Sequence, residues 1–126
     1  MAAAQNFRVA AKNHTKIDFT PGSESMSHGG VYDKENIKRE TTTTSAFYTR
    51  GDNNAAAGTE GTLKYTATDG SGATITFKWE IPWGVGDDTL DVTVTGNIKL
   101  EKSSFRGDEV LRNLVTIVIQ DDKPLI

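Results

Sequence analysis

His14 and His28 are the only histidines in the chain, and neither falls in a metal-ligand spacing such as His-Glu-x-x-His. No cysteine occurs, which excludes a thiol nucleophile, a zinc finger or ribbon, and a disulfide scaffold. Two pairs of neighbouring carboxylates, Asp87-Asp88 and Asp121-Asp122, could hold a cation only if both side chains faced one way. Neighbours on a strand face opposite ways, and neither pair has EF-hand spacing, so both read as solvated loop charges. No phosphate-binding glycine loop and no Gly-x-Ser-x-Gly elbow occurs. The expectation is therefore a protein that is not an enzyme, with no catalytic residue, no metal and no cofactor. Arg-Gly-Asp occurs at 50–52 and 106–108, where glycine and aspartate suit a polar turn. Asn13-His14-Thr15 matches the glycosylation sequon.

Aromatic residues are more informative. In Phe77-Lys78-Trp79-Glu80-Ile81-Pro82-Trp83-Gly84, Trp79 continues an alternating apolar face and reads first as core. Trp83 follows a proline and precedes a glycine-rich stretch, so it falls in the turn after the strand. Such an indole suits a membrane–water interface or a sugar-stacking surface. Phe47 and Tyr48 lie just ahead of the 50–57 loop, and Tyr32 follows Gly29-Gly30. A lipid or glycan surface is accordingly expected at Trp83, with Trp79, Pro82, Tyr32, Phe47 and Tyr48 in support. Arg50 would add a charge-assisted bond to a headgroup phosphate. A net charge of −3 lacks the basic footprint of phosphate-backbone recognition, so nucleic acid is not an expected partner.

The elements that must position these residues are strands. Ile75, Phe77, Trp79 and Ile81 alternate with Thr76, Lys78 and Glu80, a period of two that excludes a helix there. Leu63, Tyr65 and Ala67 alternate just upstream, and Asp69-Gly70-Ser71-Gly72 joins the two runs as a hairpin turn. The pattern predicts strands over 6–12, 15–20, 45–50, 61–68, 73–81, 89–95, 97–102 and 114–120. The last is apolar on both faces and reads as buried between layers. Residues 23–30 and the threonine run 41–44 read as surface loops or edge-strand faces, and Asp108 could cap one helical turn. Together these predict a single-domain, all-β antiparallel sandwich over 1–126. No apolar run approaches the roughly 20 residues needed to span a bilayer. Residues 1–8 show neither the basic nor the apolar region of a classical signal peptide. Synthesis in the cytoplasm and release by another route, to act at a target cell membrane, is the matching expectation.

Gly58-Thr59-Glu60-Gly61-Thr62-Leu63 followed by Trp79-Glu80-Ile81-Pro82-Trp83-Gly84 resembles the aegerolysin family. The likeness is specific over 50–96 and loose over 5–121. Actinoporins and fungal fruit-body lectins are similar in layout and count as wider relatives. The resemblance implies an actinoporin-like sandwich that binds sphingolipid-type membrane lipid. It also implies a cytolysin component that acts with a larger, perforin-like pore-forming partner. The alternative is a carbohydrate-binding lectin of the fruit-body type. The chain departs from the family pattern at His28, where a tryptophan is common, at Ala57, and in having no cysteine. It also lacks the long amphipathic N-terminal helix of actinoporins, so pore formation by this chain alone is not expected.

Overall fold

The computed structural model describes residues 7–50, 59–81, 89–103 and 113–122. Among them nine strands form: β1 (Phe7–Asn13), β2 (Phe19–His28), β3 (Gly30–Tyr32), β4 (Thr41–Arg50), β5 (Thr59–Ala67), β6 (Thr74–Ile81), β7 (Thr89–Thr95), β8 (Ile98–Lys102) and β9 (Asn113–Asp121). They make a five-stranded sheet ordered β3-β4-β1-β9-β8 and a four-stranded sheet ordered β2-β5-β6-β7. The fold is an all-β sandwich. The expected helical turn near Asp108 lies outside the described residues.

Alternation decides which side chains fill the space between the sheets. β5 buries Leu63, Tyr65 and Ala67, β6 buries Ile75, Phe77, Trp79 and Ile81, and β1 answers with Phe7, Val9 and Ala11. Phe47 is the hub of this core. Its ring meets Phe77 edge-on at 5.0 Å and lies 6.0 Å from Trp79 and 6.1 Å from Phe7. Edge-to-face rings set the positive rim of one against the negative face of another, adding about 0.5–1.5 kcal/mol per pair beyond burial.

Three sequence expectations need correction. The pattern predicts a sandwich that is antiparallel throughout; β1 does pair antiparallel with β4, but it pairs with β9 in parallel from Phe7↔Asn113 to Asn13↔Ile119. Parallel neighbours need a long connection between them, and here nearly the whole chain supplies it. Next, β9 is not buried on both faces. Val115, Ile117 and Ile119 point into the core, whereas Thr116 and Val118 are half-buried and Leu114 is 55% exposed. Finally, the strand placed at 15–20 begins at Phe19 and continues to His28. β2 tolerates Pro21 and Gly22 because it is an edge, with register shifts between Pro21 and Glu24 and between Met26 and His28. The 23–30 and 41–44 stretches are thus largely strand, on the edge-face reading rather than the loop one.

Residues 14–18 form a turn organised by Asn13. Its Nδ2 donates to the Ile17 carbonyl at 2.8 Å, and its Oδ1 accepts from Thr15 N and Thr15 Oγ1 at 2.9 and 2.7 Å. Asn13 and Thr15 are both buried. The sequon asparagine is therefore a structural bracket whose amide nitrogen is inaccessible in the fold. The 69–72 turn is built as expected, with positive φ at Gly70 and Gly72 and Ser71 N donating to Asp69 Oδ1 at 2.9 Å. Hydrogen bonding from the Ser71 side chain, and then from its backbone, holds the exposed Asp69 carboxyl below its ordinary value.

Candidate functional site

The motif residues that carry the family resemblance do structural work at Trp79. Its indole N–H donates to Thr59 Oγ1 at 3.1 Å in the core, and its ring meets Phe7 edge-on at 5.6 Å. Gly61 stands opposite Trp79 across the β5–β6 pair. A Cβ there would fall 2.8 Å from Ser25 O and collide with the Met26 side chain, so the position admits only glycine without displacement. Trp79 is 1% exposed and Phe47 is 0% exposed. Neither reaches a ligand surface, which corrects their assignment to the headgroup-contacting set. Pro82 and Trp83 lie outside the described residues.

Tyr32, Tyr48 and Arg50 come together on the outer face of the five-stranded sheet. Tyr32 pairs with Tyr48, and Gly30 with Arg50, in the β3–β4 ladder. Thr49, between Tyr48 and Arg50, points inward and is fully buried. The two tyrosine rings stack at 5.5 Å with 28° between their planes. Gly29 and Gly30 make this ledge possible. Gly29 adopts φ +72°, and a Cβ there would overlap the Arg50 carbonyl oxygen, leaving no room for a side chain. Over Gly30 lies the Tyr32 ring, whose Oη would sit 2.7 Å from any added Cβ.

Sequence reasoning missed two neighbours in this ledge. Tyr48 faces Arg8 across the β4–β1 pair, and Arg8 faces Leu114 across the β1–β9 pair. The Arg8 guanidinium lies over the Tyr48 ring at 4.9 Å, and its Nη1 donates to Ser45 Oγ at 2.6 Å. A guanidinium over an aromatic face is drawn to the negative π cloud. The alternation of Phe7 and Val9 already turned Arg8 outward. Nothing in the sequence said which strands would flank it.

The outer face of the other sheet is polar. Ser25, Thr62, Lys78 and Asp91 form one row across it, with Glu60 opposite Glu80 in the next. A shallow groove of about 190 Å³ runs over these residues. His14, His28, Asp121 and Asp122 are all exposed. Among the described residues, no group of three histidine, aspartate or glutamate side chains is placed to hold a metal ion.

The aegerolysin family model matches residues 11–97. A search by sequence finds no match among curated proteins. The fold is similar to that of RahU, solved in complex with a Tris molecule, at 16% identity and a TM-score of 0.75, covering 96% of this chain and 98% of that one. It is similar as well to IP-1A from Alcaligenes faecalis, at 18% identity and a TM-score of 0.73, covering 97% and 94%. The lipid-binding protein Nakanori gives 19% identity and a TM-score of 0.71, covering 94% of this chain and 71% of that one. At these identities the likeness concerns the fold.

Proposed function

Because this chain belongs to the aegerolysin family, we propose that it binds membrane lipid without enzymatic chemistry. The finer reading is a cytolysin component that recognises sphingolipid-type headgroups and recruits a larger perforin-like partner to make the pore. The interfacial contact is assigned to Trp83 and Pro82 together with Tyr32, Tyr48 and Arg50, while Trp79 and Phe47 hold the frame from within. The observation that carries the reading is the Tyr32–Tyr48 stack, an aromatic ledge 43% exposed at Tyr32. Tyrosine rings gain apolar burial at a bilayer interface while their hydroxyls stay wet. The family and the lipid-binding description of Nakanori support it. Release from the producing cell and action at a target membrane complete the proposal.

A lectin reading is favoured by the polar groove over Thr62 and Asp91, whose hydroxyl and carboxylate suit sugar hydroxyls. Co-sedimentation with vesicles containing or lacking sphingomyelin, run beside a glycan array, separates the two. The lipid reading expects sphingomyelin-dependent sedimentation that Trp83→Ala removes without changing the thermal melt. Glycan binding with no affinity for any protein-free vesicle would replace it by the lectin. Lysis by the purified chain alone would remove the need for a pore-forming partner.

A further inference from the structure

The two outer faces of the sandwich carry different charge. The face of the five-stranded sheet presents Arg8, Lys12, Arg50 and Lys99 against Glu101, by the register of β4, β1, β9 and β8. Opposite, the four-stranded sheet presents Glu60, Glu80 and Asp91 with Lys64 and Lys78. The chain as a whole is acidic, at −3, so a cationic face is a local arrangement and not a reflection of composition. Its cations are also not spread evenly. Lys12 and Glu101 flank Val118 on either side, so one end of the face is nearly balanced. At the other end a single row crosses four strands as Tyr32, Tyr48, Arg8 and Leu114, with Arg50 one outward position farther along β4.

We propose that this row, which continues the Tyr32–Tyr48 ledge across Arg8 to Leu114, takes the phosphate layer of an anionic phospholipid surface. The inference rests on the membrane-binding reading above and deepens it: it extends the Tyr32–Tyr48 ledge by Arg8 and Leu114 and assigns that extended row a different lipid class. Each part of the row has a use at such a surface. Arg8 is held over the Tyr48 ring and tied to Ser45, so little side-chain freedom is lost when its guanidinium meets a phosphate. Tyr32 and Leu114 are the large hydrophobic side chains left exposed among the described residues, at 43% and 55%. They stand at the two ends of the row. An aromatic and a leucine flanking a guanidinium match a bilayer interface, where apolar groups enter below the phosphates while the cation stays level with them. An acidic protein or a nucleic acid would use the arginines and leave Leu114 without a role.

The test uses the full chain and vesicles of phosphatidylcholine alone, with phosphatidylglycerol, with sphingomyelin, and with both. Phosphatidylglycerol should raise partitioning in the absence of sphingomyelin, and the gain should fall as salt rises. Arg8→Gln should lower that gain about fivefold, whereas Arg8→Lys should keep most of it. Leu114→Glu, at an exposed position, should remove it with the melt unchanged. Trp83→Ala should abolish the sphingomyelin-dependent part and leave the phosphatidylglycerol-dependent part in place. If sphingomyelin vesicles bind and phosphatidylglycerol adds nothing, this inference fails while the membrane reading stands; if no vesicle binds, both fail. Equal binding of a single-stranded oligonucleotide at the same salt, lost in Arg8→Gln, would overturn the assignment to lipid.

Discussion

Thr59 and Trp79 show how a conspicuous residue can be structural. The indole N–H is buried and donates to the Thr59 hydroxyl, and Thr59 itself is 1% exposed. Thr59→Val keeps the shape and deletes the acceptor, leaving the indole N–H unsatisfied in the core. The expected cost is about 1–3 kcal/mol, read as a lower midpoint in urea with an unchanged slope. At this scale the sequence was partly legible. Alternation marked Trp79 as core, and it is core. The same rule should have separated Phe47 from Tyr48, since neighbours on a strand face opposite ways. Grouping them by aromatic character placed a fully buried ring on the surface. Arg8 and Leu114 escaped notice because each is ordinary alone and acquires meaning only from its cross-strand neighbours.

Among the elements, Tyr65 on β5 ties down a segment that has little regular structure of its own. Its hydroxyl donates to the carbonyls of Glu35 and Ala46, at 2.9 and 3.1 Å. Glu35 N in turn donates to Ala46 O at 2.8 Å. Burial, and then the Glu35 charge, push the phenol well above its ordinary value. An unfolded tyrosine releases its proton near pH ~10, whereas in the fold the neutral phenol is retained. The stability this confers is complete below that pH and is lost as pH rises above it. Urea unfolding at pH 7, 9 and 11 should show wild type weakening steeply between the last two. Tyr65→Phe should be less stable at pH 7 by about 1 kcal/mol and show a shallower alkaline loss. The strands around this clamp were legible where one face is apolar, as in β5, β6 and β7. β2 and the start of β4 were not, because edges carry polar residues, Pro21 and bulges that blur a period of two.

For the molecule as a whole, the decisive contact is between its first and last strands. β9 lies between β1 and β8 in the five-stranded sheet, and Val115, Ile117 and Ile119 bury their side chains in the common core. A chain ending at residue 112 would leave β1 as an open edge above an unfilled core. It is expected to lose the cooperative thermal transition and the far-ultraviolet β signal of the intact 126-residue chain; a retained sharp melt would show that the other strands suffice. The sequence by itself determined the class of fold, the turns at 69–72 and 96–97, most inward-facing residues and the family, because alternation, turn chemistry and motif spacing are local. Only the tertiary structure decided that β1 and β9 run parallel and that Tyr32, Tyr48, Arg8 and Leu114 share one row. Strand pairing is a choice among distant partners, governed by which edges and faces the rest of the chain leaves available, and no local pattern encodes it.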